Sequence, residues 1–197
     1  MKITFVTDTY FPQANGVATT LEQLAKGLRD RGHEIDIIRL AFLACEEAGL
    51  KVPSVGLPGY KDVRFGFPIK LVLQTRYYKK RPDVIYVATE TPLGASAVSA
   101  ARALGIPAAS GFHANFQQYV AHYQLPLLEK VTLKYPRHVH NRSSCTFVPS
   151  QNWSSEVLKI LSSCLRASTR SFSLPGSDPI SCDGSGALVK EMSLASL

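Results

Sequence analysis

Short apolar runs alternate with helical patterns along the first 150 residues. A β-rich run at 3–6 is followed by Val17, Leu21, Leu24 and Leu28, whose spacings of three and four predict a helix that stops at Gly32. The same patterns predict strands at 35–38, 84–87, 108–111 and 146–148, and helices at 69–80, 92–104 and 116–142. We predict a long Gly- and Pro-rich loop at 41–62, and a last helix capped by Ser150.

This alternation predicts the fold class. Short apolar strands separated by helices indicate an α/β, Rossmann-like, doubly wound parallel sheet with helices on both faces. In such sheets ligands bind beyond the carboxyl ends of the strands. Three loops therefore become candidates for a site, at 8–16, 88–92 and 111–116.

The first candidate loop leads into the first predicted helix. Gly16 can let backbone N–H groups approach a ligand, and a helix N-terminus favours an anion. Asn15-Gly16 is by itself most often only a turn. The loop contains neither Gly-x-Gly-x-x-Gly nor a Walker sequence, so no dinucleotide fingerprint or kinase cradle is present.

The other two loops offer a histidine and a carboxylate. His113 follows a strand end, where it can donate to a sugar hydroxyl, titrate near neutral pH, or satisfy a local backbone group. Glu90 either faces the cleft or favours the N-terminus of the coming helix. We interpret His122, His138 and His140 as surface or packing residues.

Composition excludes several classes of protein. With 197 residues, 45% of them hydrophobic and 19% charged, the chain is globular, and no apolar run is long enough for a spanning helix. The early Asp8 predicts a cytoplasmic start rather than a signal peptide. The four cysteines are scattered, which indicates neither a zinc site nor a disulfide framework.

The excess of positive over negative charge is confined to the first 150 residues. The net charge is +7, and residues 1–150 carry 18 Lys and Arg against 11 Asp and Glu. Such a surface suits nucleic acid, anionic lipid or phosphorylated substrates, or simply keeps the protein soluble. The densest run, 76–81, mixes aromatic and cationic residues, which suits a membrane interface or the exposed end of a helix.

Taken in order, a set of short motifs over about residues 1–152 resembles the N-terminal domain of glycosyltransferase family 4, especially bacterial glycolipid mannosyl- and glucosyltransferases. The motifs are Thr7-Asp8-Thr9-Tyr10-Phe11-Pro12, Asn15-Gly16-Val17, Leu57-Pro58-Gly59-Tyr60, Arg64-Phe65-Gly66, Arg81-Pro82-Asp83, Thr89-Glu90-Thr91-Pro92-Leu93-Gly94, Phe112-His113 and Val148-Pro149-Ser150-Gln151.

The resemblance implies the acceptor-side half of a GT-B enzyme. Such an enzyme transfers a hexose from GDP-mannose or a UDP-hexose, with retention and without a metal or cofactor, to a lipid or glycan acceptor. Asn15 and Gly16 would lie near the donor phosphates, and His113 would bind the transferred sugar as the catalytic candidate. Contact with an anionic membrane would use the cations, and no nucleic acid is expected. The acceptor-binding candidates are Tyr10, Tyr60, Arg64, Glu90 and Asn115.

The resemblance ends near residue 160, which predicts a domain at 1–160 and a separate tail at 161–197. The last 36 residues contain ten serines and little periodicity, as a disordered tail would. A frameshifted translation is the other hypothesis. Codons for 167–173 can be chosen so that the neighbouring frame encodes Gly-Val-Asp-Thr-Glu-Leu-Phe, which is similar to the family's continuation. The nucleotide sequence tests this, and a neighbouring frame without that segment would contradict it.

The main hypothesis is a transferase that lacks its donor-binding half and is therefore inactive alone. Two other functions are alternatives to it. A nucleotide-binding oxidoreductase would bind NAD, although the glycine-rich fingerprint is absent after the first strand. A basic module for lipid or nucleic acid would bind in a salt-sensitive way without any dependence on sugar.

Overall fold

The fold comes from a computed structural model of the chain. It describes residues 1–43, 48–57, 60–113, 136, 138–148 and 189–191, and of residues 57, 60–63, 148 and 189–191 it describes the backbone. The strands are β1 (Lys2–Val6), β2 (Glu34–Leu40), β3 (Gly49–Val52), β4 (Ser54–Leu57), β5 (Tyr60–Gly66), β6 (Val84–Val87), β7 (Ala108–Gly111), β8 (Cys145–Val148) and β9 (Val189–Glu191). The helices are α1 (Gly16–Asp30), α2 (Lys70–Lys79) and α3 (Pro92–Ala103).

Seven of the strands form one parallel sheet in the order β3-β2-β1-β6-β7-β8-β9. The chain leaves β1 towards β2 on one side and later returns to place β6 on its other side. The strand order therefore reverses between β1 and β6, where a crevice opens beyond the carboxyl ends. The predicted fold class, an α/β Rossmann-like parallel sheet, is confirmed.

Helices α1 and α3 begin and end close to the residues that the sequence predicts. The Asn15 side chain caps α1 by accepting the Ala18 N–H at 2.9 Å, and the chain leaves the helix through Gly32, whose φ of +80° favours glycine. Thr91 caps α3 in the same way, and Pro92 occupies the first turn. These caps determine where each helix begins relative to the end of the preceding strand.

The prediction of a loop over 41–62 is wrong. This stretch contains β3, β4 and the start of β5, and β4 and β5 form an antiparallel hairpin outside the main sheet. Strands of four residues carry too little periodicity to be recognised, and they are stabilised by partners elsewhere in the chain. Gly49 shows the dependence, because a Cβ there would collide with the carbonyl of Ile37 on β2.

The other predicted elements within the described residues are confirmed, with shifts of one or two residues at their ends. Of the predicted helix at 116–142, residues 136 and 138–140 are described and are helical, and the rest lies outside the described residues. The helix capped by Ser150 and the boundary at residue 160 also lie outside them. Within 161–197 the structure describes 189–191, which pair with β8 as β9.

Asp8 joins three parts of the fold beyond the end of β1. Its Oδ1 accepts the Gly66 N–H at 2.9 Å, which ties the hairpin to the sheet, and its Oδ2 accepts the Thr89 hydroxyl at 3.3 Å. The carboxyl is buried, so loss of hydration raises its pKa above the ordinary 3.8, although bonds from Thr91, Gly66 and Thr89 oppose that rise. The hairpin is thus held by a buried acid.

We predict that Asp8 makes the stability of the chain depend on pH. The pKa of Asp8 is raised in the native state, so its favourable contribution to the free energy of unfolding is complete below about pH 3.8. That contribution is lost as the pH rises through the native-state pKa. Asp8→Asn keeps the Oδ1 acceptor and should remove this slope. Urea unfolding of both proteins between about pH 3 and about pH 8 measures it. Asp30→Asn, at the exposed end of α1, should keep the slope, and parallel curves for wild type and Asp8→Asn would contradict the prediction.

Candidate functional site

The crevice at the strand reversal brings together the loops predicted as candidates. Strands β1 and β6 are paired in register up to Val6 and Val87, and the Ala88 N–H continues the ladder to the Val6 carbonyl at 3.0 Å. The Asp8 N–H then bonds the Thr89 hydroxyl at 3.2 Å. Because β7 is parallel to β6, His113 leaves the sheet at this same edge. The loop before α1 also begins here.

Asn15 and Gly16 lie where the loop after β1 enters α1. The Asn15 amide donates to the Thr9 hydroxyl at 2.6 Å while its oxygen caps α1, so the side chain is held from both sides. Nothing in the described structure lies within 4 Å of the position that a Cβ on Gly16 would occupy. The start of α1 therefore offers open space beside its positive end, as a bound anion requires.

His113 is half-buried, and its ring is held by Tyr86. Its Nε2 lies 2.6 Å from the Tyr86 hydroxyl, and the two rings meet edge to face with centroids 6.1 Å apart. Burial lowers the pKa of His113 below its ordinary value, and the nearby Glu90 carboxylate partly opposes this. Burial of His113 therefore favours the neutral form of its imidazole.

Glu90 is fixed by a buried network that the sequence did not reveal. Its Oε1 lies 3.0 Å from Nε2 of His140, whose Nδ1 is 2.8 Å from the Ser110 hydroxyl and 3.3 Å from the Thr146 hydroxyl. The network joins the loop after β6 to β7, to β8 and to the helical residues 138–140. Glu90 thus neither caps α3 nor extends into solvent, because His140 holds it at the crevice.

Ser110, His140 and Glu90 are the residue types of a catalytic triad, but the serine hydroxyl is not accessible to a substrate. Ser110 is 0% exposed, and its hydroxyl bonds Thr146 at 3.0 Å as well as His140. No substrate carbonyl could reach that oxygen, so nucleophilic catalysis is excluded in this arrangement. The three polar side chains instead satisfy one another and orient the Glu90 carboxylate.

Arg64 is positioned on the hairpin rather than on the main sheet. Its guanidinium lies 4.9 Å from the centre of the Phe42 ring, and its Nε donates to the Ser54 hydroxyl at 3.1 Å. These contacts fix the planar cation at the surface, where it remains half-buried. Tyr60 begins β5 on the same hairpin, and its backbone is what the structure describes.

One further acceptor candidate, Tyr10, is not brought to the crevice. Tyr10 is 1% exposed and lies in the core, so its ring contributes to packing and presents no surface to a ligand in this arrangement. The physical reason is that the loop after β1 folds back onto the sheet, as the buried Asp8 beside it shows. Asn115 lies outside the described residues.

The sequence missed the residues that support the site. His140 was interpreted as a surface or packing residue, and packing is correct, but its bond to Glu90 depends on a contact across 50 residues. Tyr86 lies within a buried strand, where its neighbours in sequence do not show which atom its hydroxyl meets. A polar atom in an otherwise apolar strand, as in Tyr86 and Ser110, is the only hint that the sequence offered.

Within the part of the chain that the structure describes, no three His, Cys, Asp or Glu side chains lie close enough to hold a metal ion. Nor does any helix there combine the length and the apolar character that crossing a membrane requires.

Known proteins resemble this chain in sequence. The Alpha-monoglucosyldiacylglycerol synthase of Streptococcus pneumoniae is 35% identical over 130 residues, which cover 62% of this chain and 29% of that protein. The GDP-mannose-dependent alpha-mannosyltransferase of Corynebacterium glutamicum is 28% identical over 159 residues, covering 76% of this chain and 38% of that protein. The chain spans less than half the length of these curated relatives.

Solved structures share the fold at low identity. The UDP-GlcNAc 2-epimerase of Methanocaldococcus jannaschii superposes with a TM-score of 0.53 at 17% identity, covering 81% of this chain and 42% of that one. The UDP co-structure of S. aureus MnaA gives a TM-score of 0.51, also at 17% identity, covering 80% of this chain and 40% of that one. At such identities the match supports the Rossmann-like architecture alone.

The sequence profile of Glycosyltransferase Family 4 matches residues 14–162, which include Asn15, Gly16, Glu90 and His113. This match covers most of the chain and favours neither the oxidoreductase nor the basic binding module. The chain belongs to Glycosyltransferase Family 4.

Proposed function

We propose that the chain is the acceptor-side half of a retaining GT-B glycosyltransferase. The whole enzyme would move a mannose or glucose from a nucleotide sugar, such as GDP-mannose or a UDP-hexose, to a lipid or glycan acceptor. It would need no metal or cofactor. The relatives' names support these classes, since they include a GDP-mannose-dependent mannosyltransferase and a synthase of monoglucosyldiacylglycerol.

One observation carries this proposal. The family profile matches the stretch that places the start of α1 and His113 at the same edge of the sheet. The open space beside Gly16 suits the donor phosphates, and the half-buried His113 suits a hydroxyl of the transferred sugar. Glu90, Arg64 and Tyr60 would contact the acceptor, with Asn115 as a further candidate.

We further propose that a polypeptide of these 197 residues has little turnover by itself. In a GT-B enzyme the donor is held between two domains, and one wall cannot supply the preorganised contacts that stabilise the transition state. The share of the relatives' length that the chain covers, 29–42%, supports this.

We predict that residues 1–160 become active when joined to a donor-binding half. They would replace the matching part of the Streptococcus pneumoniae relative, and transfer of labelled glucose from UDP-glucose to a diacylglycerol acceptor would be measured. His113→Ala should lower kcat/KM about tenfold, the effect of losing one hydrogen bond to substrate.

His33→Ala is the matched control, because His33 contacts the N-terminal amine at the opposite edge of the sheet. It should leave kcat/KM unchanged. A folded chimera with no transfer to any lipid or glycan acceptor would contradict the transferase proposal. Efficient turnover by the 197-residue chain alone would contradict the half-site proposal.

We also propose that the chain contacts an anionic membrane from the cytoplasmic side through the outer face of α2. Of the run at 76–81, Arg76 is paired with Asp36 at 2.8 Å and Lys80 with Glu34 at 2.7 Å. The charges of these two cations are therefore offset by carboxylates on β2. The outer face of α2 instead combines exposed apolar and aromatic residues with cations, namely Lys70, Leu71 (76% exposed), Val72, Tyr78 (84% exposed) and Lys79.

Apolar side chains flanked by lysine match an interfacial helix. We predict that the chain sediments with vesicles containing phosphatidylglycerol and much less with pure phosphatidylcholine. Lys79→Gln should weaken the association about fivefold, since one lysine near an anionic surface contributes about 1 kcal/mol. Leu71→Ser should weaken it as well.

Lys26→Gln on the exposed surface of α1 removes the same charge elsewhere and should leave vesicle binding unchanged. Equal losses for Lys79→Gln and Lys26→Gln would indicate attraction by net charge alone. That result would contradict a dedicated face on α2.

A further inference from the structure

Which atoms of Tyr86 and His113 are bonded, and which of them donates the hydrogen, determines what His113 can do. The atoms joined are the phenol oxygen and Nε2, at 2.6 Å. A neutral imidazole carries one N–H, so Nε2 either donates to this phenol oxygen or accepts its proton in a hydrogen bond. The two cases leave the other ring nitrogen, Nδ1, with opposite roles.

The acidities of the two groups favour acceptance by Nε2. Burial raises the pKa of the Tyr86 phenol, so the phenol keeps its proton and can donate it in a hydrogen bond. An imidazole nitrogen, whose conjugate acid has an ordinary pKa of about 6.5, is a strong acceptor. The phenol oxygen is the weaker acceptor of the pair. The matched arrangement is therefore the Tyr86 O–H donating to Nε2, which leaves the hydrogen on Nδ1.

The surrounding packing keeps the two groups in this geometry. The Tyr86 ring is held between Phe5 and Phe147, with centroid distances of 5.4 Å and 6.0 Å. At Gly111 a Cβ would collide with the Tyr86 hydroxyl and with Nε2 of His113. Glycine at this position is therefore what allows the two side chains to meet.

We infer that Tyr86 is a positioning residue that holds His113 as the Nδ1–H tautomer, so that the site presents a hydrogen-bond donor to its ligand. The half-buried ring would then bind an oxygen acceptor, such as a sugar hydroxyl, through Nδ1. It could not take a proton at Nδ1 as a general base while it stays in this form. This consequence for the sugar rests on the proposed function, whereas the tautomer itself does not.

The lowered pKa of His113 is consistent with a neutral ring. Tyr86 and Glu90 are the titratable groups that act on this imidazole among the described residues, and Glu90 alone favours the charged form. The Nδ1–H tautomer is thus inferred from the geometry of the bond between Tyr86 and His113, and the lowered pKa agrees with a neutral ring.

The test is nitrogen NMR on the full 197-residue chain labelled with ¹⁵N-histidine, without any sugar. His113 is assigned by the loss of its signals in His113→Gln. We expect Nε2 to resonate as a bare nitrogen and Nδ1 as a protonated one. A protonated Nε2 in the neutral ring would overturn the inference.

The variant Tyr86→Phe keeps the ring packing and removes the hydroxyl. If the phenol donates to Nε2, its loss removes the bond that selects the Nδ1–H tautomer, and the signals of Nε2 and Nδ1 move towards each other as the two tautomers mix. If Nε2 were the donor, the wild-type protein would already show a protonated Nε2. The wild-type signals and their shift in the variant therefore decide between the two arrangements.

Tyr77→Phe removes another buried phenol, on α2, and should leave the His113 signals unchanged. Signals of Tyr86→Phe identical to those of wild type would overturn the inference. Because no donor sugar or turnover enters these measurements, their result is independent of the transferase proposal. A correct tautomer together with an inactive chimera would contradict the proposed function alone.

Discussion

The pairing of β1 with β6 is the constraint on which the site depends. These two strands carry the chain in the same direction from opposite sides of the strand reversal, so their following loops must separate and leave a crevice. Asp8 and Thr89 lie two residues beyond the paired strand ends, and they bond each other between the two loops. The start of α1, Glu90 and His113 are positioned around this point.

Burial then gives similar polar groups different roles. Asp8 is enclosed and acts as a structural acid that holds the hairpin through Gly66. Glu90 is enclosed on the side of His140, and its charge acts on His113. His113 is half-buried, which lowers its pKa and favours the neutral ring while part of the side chain stays exposed. Access, rather than residue type, separates the supporting groups from those that can bind.

The same distinction applies to the basic character of the chain. The sequence shows one dense run of cations, yet the structure uses Arg76 and Lys80 to pair with Asp36 and Glu34 on β2. Arg81 bonds the carbonyls that end α3. The outer face of α2, where exposed apolar side chains accompany the lysines, is smaller than the whole run of cations. Net charge therefore overestimates the surface available for lipid.

The sequence by itself determined the alternation of strands and helices, the end of α1 before Gly32, and the ends of strands where Glu90 and His113 occur. These signals are local, because periodicity and capping act within a few residues. The hairpin carrying Arg64, the burial of Tyr10 and the bonds of Tyr86 and His140 were decided by tertiary structure. Each depends on a partner distant in sequence, such as Glu90 for His140, and a side chain cannot reveal from its own neighbours which atom will meet it across the sheet.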